Sequence, residues 1–260
     1  MMPLSATVLS PEEKPGLSSA TSNRSRGGTL NVSERFISRQ GEGLLTGTNS
    51  YFIRLSGCNL RCWFCDTPYA SWEPETHRID LQTVVQHCIA AKIPHVVITG
   101  GEPMLPMQIT QLTRSLKAAG LHITIETAGT IFRHVDCDLI SISPKLPSSA
   151  PRDPGPWRDK HLKRCETPGV TARLIRHAAD YQLKYVVDIP EDCDEVLAAV
   201  AALRDHLPEL DTKHIWIMPQ ALSVESMDLR REWIEPWCAQ HGFRYCERMQ
   251  LHWYGNKRGT

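Results

Sequence analysis

This sequence has no excess of charge, no long apolar run and no leader-like start. Its 29 Lys and Arg residues balance 29 Asp and Glu, so bulk charge argues for neither nucleic acid nor an acidic membrane surface as partner. A small molecule is the better expectation. The longest apolar run, Val196 to Leu203, is far shorter than the roughly 20 residues that span a bilayer. The N-terminal MMPLSATVLSPEEKPG lacks a basic start, a long apolar stretch and a small-residue cleavage site. A cytoplasmic, reducing location is expected from this. There, nine cysteines read as metal ligands or buried thiols before disulfides.

The rest of the composition is ordinary for a globular protein, with 41% hydrophobic and 22% charged residues. The 260 residues suffice for one large α/β domain. Residues 1–28 are rich in Ser, Pro, Gly and Thr without an apolar period, which predicts a disordered extension. The folded domain, 29–260, begins where LNVSERFIS can run extended. Short β-branched stretches follow at Ser50–Ser56, His95–Thr99, Leu121–Glu126, Asp138–Ser143, Leu183–Asp188 and His214–Met218. Asp80 is placed to cap a helix carrying Leu81, Val84, Val85, Cys88 and Ile89 on one face. Further helices are expected near 106–119, 168–181, 191–206 and 226–241. This alternation predicts parallel βα units wound into a closed or open barrel, with chemistry at the C-terminal ends of the strands. The motifs fall at those ends: a cysteine loop after the first strand, then TGGEP (99–103), ETAGT (126–130) and SPK (143–145).

The loop SGCNLRCWFCDTPYASW (56–72) holds Cys58, Cys62 and Cys65, spaced C-x3-C-x2-C with no fourth cysteine or histidine nearby. The other six cysteines are scattered and read mostly as core thiols. A structural zinc site wants four ligands, and His77 is the nearest recruit. A cuboidal iron–sulfur cluster can instead be held by three thiolates, leaving one iron open.

This pattern resembles the radical S-adenosylmethionine (SAM) superfamily. The resemblance implies that Cys58, Cys62 and Cys65 bind a [4Fe–4S] cluster whose open iron chelates SAM, and that reductive C–S cleavage yields a 5′-deoxyadenosyl radical. Phe64 matches the aromatic before the third cysteine. In GGE, Gly101 or Glu102 would contact the SAM amino group. RQGEG (39–43), FIRLSGC (52–58), CDTPYASW (65–72) and WYGNKRGT (253–260) narrow the resemblance to the 7-carboxy-7-deazaguanine synthase family. That family implies a modified, incomplete (βα) TIM-like barrel and a homodimer. It also implies Mg2+, a carboxypterin substrate and a flavodoxin- or ferredoxin-like reductant, with no nucleic acid or membrane partner. By resemblance, Arg39, Gln40, Gly41, Glu42, Arg54 and Thr99 would touch substrate, and Thr67 would ligate Mg2+. Phe64, Cys65, Asp66, Ser143, Pro144, Lys145 and the segment Met218, Pro219, Gln220, Ala221 would join Gly101 and Glu102 around SAM.

Plainer readings stand beside these. Arg54, Lys145 and Lys184 could be solvated charges, Thr67 a turn cap, Glu42 a loop organiser, and Trp253 and Tyr254 terminal packing. A glycyl-radical activating enzyme and a non-catalytic iron–sulfur or zinc module are the rival functions.

Overall fold

The computed structural model describes residues 28–260 and a two-residue strand, β1 (Thr7–Val8). The expectation for the remainder of 1–28 lies outside the described residues. Long β2 (Thr29–Arg39) leads antiparallel into β3 (Asn49–Leu55). Helix α1 (Pro68–Ser71), β4 (His77–Asp80) and α2 (Leu81–Ala90) follow. Next come β5 (His95–Gly100), α3 (Ile109–Ala118), β6 (His122–Thr127) and β7 (Leu139–Ile142). After α4 (Pro156–Cys165) and α5 (Pro168–His177) come β8 (Tyr181–Val187), α6 (Asp192–His206) and β9 (Ile215–Pro219). Helix α7 (Val224–His241), β10 (Arg244–Tyr245) and α8 (Met249–Tyr254) complete the order.

The strands form one sheet in the order β1-β2-β3-β5-β6-β7-β8-β9-β10, with β4 also on β2. From β3 to β10 every neighbour is parallel. No pairing joins β10 back to β2 among the described residues, so the barrel is incomplete, as expected. Among the described residues no helix is long and apolar enough to cross a membrane.

Period-two alternation builds the interior. Tyr51, Ile53, Val96, Ile98, Ile123, Ile125, Ile140, Ile142, Leu183, Tyr185, Ile215 and Ile217 are buried in the main core beneath the helices. Their alternates point to the other face. Nearest the strand starts, buried His95 sits between Ser50 Oγ (2.7 Å) and Thr124 Oγ1 (2.8 Å). Above it Phe52 stacks on Phe36 at 4.8 Å and packs with Val97. Nearest the strand ends the inward residues turn polar: Arg54, Thr99, Glu126, Ser143 and Lys184, all lining one cavity.

The six expected strands are present with shifts of one or two residues. Asp80 caps α2, accepting from the Gln82 and Thr83 amides. Ile89 departs from expectation: it is exposed, one step past the buried stripe of Leu81, Val84, Val85 and Cys88. The helix expected over 168–181 stops at His177, because Tyr181 already pairs with Ile140 as strand. Strands β4 and β10 and helices α1, α4 and α8 were not anticipated. They are short or polar and show little periodicity.

Candidate active site

A cavity of about 470 Å3 opens at the C-terminal ends of the parallel strands. The cysteine loop forms one wall, contributing Cys58, Cys62, Phe64, Cys65, Asp66 and Thr67. The loop is held by backbone contacts: Gly57 donates to the Ala70 carbonyl (2.7 Å) and the Glu102 amide to the Gly57 carbonyl (2.8 Å). Gly101 allows that approach, since a Cβ there would lie 2.2 Å from the Gly57 oxygen. The bare backbone of Gly101 thus serves contact with the cysteine loop as well as lining the cavity. Gly100 adopts φ +144° and would similarly strike Leu55.

The outer side of the loop is braced by α4. His161 Nδ1 accepts the Arg61 backbone N–H (3.1 Å), and its Nε2 lies 2.9 Å from Ser149 Oγ. Arg164 donates to the Asn59 carbonyl, and Trp63 donates to the Ser148 carbonyl (3.1 Å).

Opposite the cysteines lies a buried polar network. Lys184 Nζ bonds Glu42 (2.7 Å) and faces Glu126 at 3.6 Å. Gln40 donates to Glu126 (3.0 Å) and accepts the Glu42 amide (3.1 Å), while Thr99 donates to the second Glu126 oxygen (3.3 Å). Arg248 and Gln250 of the α8 region also donate to Glu42, at 3.2 and 2.7 Å. Burial works to raise the Glu42 pKa, but the Lys184 and Arg248 charges outweigh it and hold the carboxyl well below its ordinary range. Burial opposes the charge on Lys184, yet Glu126 and Glu42 keep the ammonium firmly protonated.

A third cluster closes the rim. Glu34 accepts from Arg54 Nε (2.7 Å), the Tyr69 hydroxyl (2.8 Å) and Arg258 (3.0 Å). Arg258 also stacks over Tyr69 at 3.8 Å and bonds Glu75. It thereby draws residues 255–260 into the cavity wall. Arg39 lies 4.0 Å over Trp253 and donates to the Tyr254 hydroxyl.

Most assigned residues therefore meet in one place. On the cysteine side, Gly101, Ser143, Lys145, Met218, Pro219 and Gln220 join the lining. Arg39, Gln40, Gly41, Glu42, Arg54 and Thr99 complete it on the other side. Glu102, Pro144 and Ala221 stand outside it. The buried Glu102 carboxylate accepts from Thr127 Oγ1 (2.6 Å) and the Met104 and Ala128 amides (2.9 Å each), so it positions the β6 loop. Ala221 packs against Met227 and Leu251. Lys184 is no solvated charge, and Glu42 has both oxygens engaged. Glu126, Arg248 and Gln250 had no assigned role. ETAGT marks Glu126 as a strand-end carboxylate, but no local pattern signals the other two.

The donor set fits a cluster better than a single ion. All three thiols are free and half-buried on one wall, yet among the described residues no three His, Cys, Asp or Glu side chains converge on one metal. A cuboidal cluster needs no such convergence, because each thiolate binds a different iron. His77 lies on β4, paired with Val32 and exposed, so the zinc reading loses its recruit.

Comparison with known proteins agrees. The radical SAM superfamily model matches residues 52–220. A 7-carboxy-7-deazaguanine synthase of Rhodopirellula baltica is 46% identical over 89% of this chain and 89% of its own. One from Halobacterium salinarum is 38% identical over 88% and 92%. The crystal structure of QueE from Escherichia coli superposes with TM-score 0.55 at 24% identity, over 84% of this chain and 93% of that one, a likeness of fold. Identity along nearly the whole chain, with the cysteine loop and the polar network in one cavity, places this protein in the radical SAM superfamily, among the 7-carboxy-7-deazaguanine synthases.

Proposed function

We propose that this chain contracts the ring of 6-carboxy-5,6,7,8-tetrahydropterin to 7-carboxy-7-deazaguanine with loss of ammonia, as a radical SAM lyase. The observation that carries this reading is one cavity walled by three free cysteines on one side and by Gln40, Glu42, Glu126 and Lys184 on the other. When bound, the [4Fe–4S] cluster, SAM and Mg2+ of this family supply hydrogen-abstraction chemistry and an oxygen-seeking cation. Cys58, Cys62 and Cys65 would hold the cluster, and the Thr67 hydroxyl is the hard oxygen donor for Mg2+ at the same wall.

The remaining work falls to the protein. Arg54 donates Nε to Glu34 and lines the cavity, where its guanidinium would take the substrate carboxylate. Gln40 and Thr99 are oriented by Glu126 at the level where a flat heterocycle would lie. The fixed Lys184 charge holds Glu42 ionised and, placed between Glu42 and Glu126, sets the geometry of both carboxylates. Lys145 donates to Ser143 (2.6 Å) on the SAM side. The enzyme acts as a cytoplasmic homodimer served by a flavodoxin- or ferredoxin-like reductant.

The test is anaerobic reconstitution, then incubation with SAM, reductant and the carboxypterin, with products identified by mass. Release of 7-carboxy-7-deazaguanine and ammonia without a protein partner supports the synthase and removes the glycyl-radical activase. Cleavage of SAM without ring contraction counts against it.

A further inference from the structure

The chain is neutral overall, but its charge is not evenly spread. Around the outer side of the cysteine loop, Arg61, Arg152, Arg158, Lys160, Lys163 and Arg164 outnumber Asp153, Asp159, Glu166 and Glu195, the last of which accepts from the Ser148 amide. None of the six cations makes an ion pair among the described residues, whereas Arg54, Lys184, Arg248 and Arg258 in the cavity all do. The patch is interleaved with indoles. Arg152 lies 4.0 Å over Trp63, between the second and third cysteines; Arg61 lies 4.1 Å over Trp157, and Lys160 is 5.2 Å from the same ring. Trp157 is 44% exposed. Trp157, Lys160 and Arg164 fall at i, i+3 and i+7, one face of α4. His161, between them, is buried against the loop.

We infer that this face, α4 with the outer side of the cysteine loop, is the docking surface for a small acidic electron-carrier protein. The inference rests on the reading that the three cysteines hold a cluster needing an electron from outside. The cavity side of the loop is where SAM and substrate are bound. An electron must therefore arrive from the other side, where Trp63 stands between the second and third cysteines under Arg152. Unpaired cations there would steer an acidic partner, while exposed indoles offer contact area that charge alone does not. In the transfer, the carrier's flavin passes from hydroquinone to semiquinone, losing one electron. The cluster gains that electron, and no bond forms or breaks.

Arg61 and Arg164 also brace the loop, so the test uses Arg152→Glu with Lys160→Glu, and as a matched control Arg204→Glu with Lys213→Glu on exposed positions elsewhere. Two readouts are needed: the dissociation constant of oxidised flavodoxin on the cluster-loaded enzyme, and turnover with reduced flavodoxin or with dithionite. The α4 double variant should weaken flavodoxin binding, and raise its KM, by about tenfold or more at low ionic strength, an effect that shrinks as salt is added. The control should do neither, and dithionite-driven turnover should match the parent in both. Unchanged flavodoxin affinity in the α4 variant overturns the inference. So does an equal loss with dithionite, which would mean a structural role, or loss of RNA binding with flavodoxin binding intact. Absence of ring contraction by the parent with dithionite would instead strike the proposed function.

Discussion

Lys184 Nζ lies 2.7 Å from a Glu42 oxygen and 3.6 Å from Glu126, bridging two carboxylates that come from separate elements, the loop after β2 and the end of β6. Replacing it with Met leaves, among the described residues, Glu126 without an ion pair and Glu42 with Arg248 as its only charge partner, which should cost about 3 kcal/mol of stability. Lys184→Met with Glu42→Gln removes one of those charges and should recover part of the stability. Recovery of carboxypterin binding is not expected, since Gln40 and Glu126 lose their fixed geometry in both. Equilibrium unfolding and substrate titration of the two variants separate the effects. A fully stable single variant would discard the network as drawn.

The strands and the cysteine loop were legible because their signals are local: β-branched runs of five to seven residues, and a fixed cysteine spacing. Gln40, Arg54 and Thr99 were legible because they belong to motifs. Lys184 and Arg248 were not, since their meaning depends on a partner over 140 residues away (Glu42 for both). Nothing in LKYVVD says whether a strand lysine faces solvent or a carboxylate. Helix α4 was missed because PWRDKHLKRC is polar nearly all round. Its one fully buried side chain, His161, packs on a loop rather than on an apolar core.

His161 Nδ1 accepts from the Arg61 amide, and the Ser149 hydroxyl donates to the Leu146 carbonyl (2.6 Å). The imidazole proton therefore sits on Nε2, assigned from these partners. His161→Asn can keep an acceptor for Arg61, whereas His161→Gln keeps only a donor toward Ser149. An orphaned amide there costs about 1–3 kcal/mol. The Asn variant should retain slow hydrogen exchange at Arg61 and load iron like the parent. The Gln variant should exchange faster and load less. Equal behaviour of the two removes His161 as a setter of the loop.

Thr67 Oγ1 lines the cavity 3.9 Å from Cys65 Sγ, and the adjacent Asp66 is occupied by Arg248 at 2.8 Å. With one Asp66 oxygen engaged by Arg248, the threonine hydroxyl is the oxygen donor that we propose for Mg2+. Thr67→Val should raise the Mg2+ concentration for half-maximal turnover by about tenfold, the loss of one ligand. Cluster absorbance should stay at the parental level. An unchanged metal titration would assign Mg2+ elsewhere.

The last prediction concerns His95, in the layer furthest from the active site. Burial, and then the charge of His122 beside it, lower its pKa from 6.5 to about 4, with Asp138 opposing. The folded state thus refuses a proton that the unfolded chain accepts. Stability from this residue is full above pH 6.5 and falls as the pH drops toward 4, by at most about 3 kcal/mol. Buried His161, also lowered to about 4, adds a loss of the same sign. A single substitution should therefore flatten the profile without levelling it. His95→Gln cannot titrate, and its amide can still reach Ser50 or Thr124. Urea unfolding across that window should give a shallower pH dependence for the variant, the two curves converging toward the acid end. Carboxylates such as Glu42 act in both proteins and cancel in the difference. Parallel curves, displaced but equally steep, would mean that His95 is not held neutral and that another group carries the acid sensitivity.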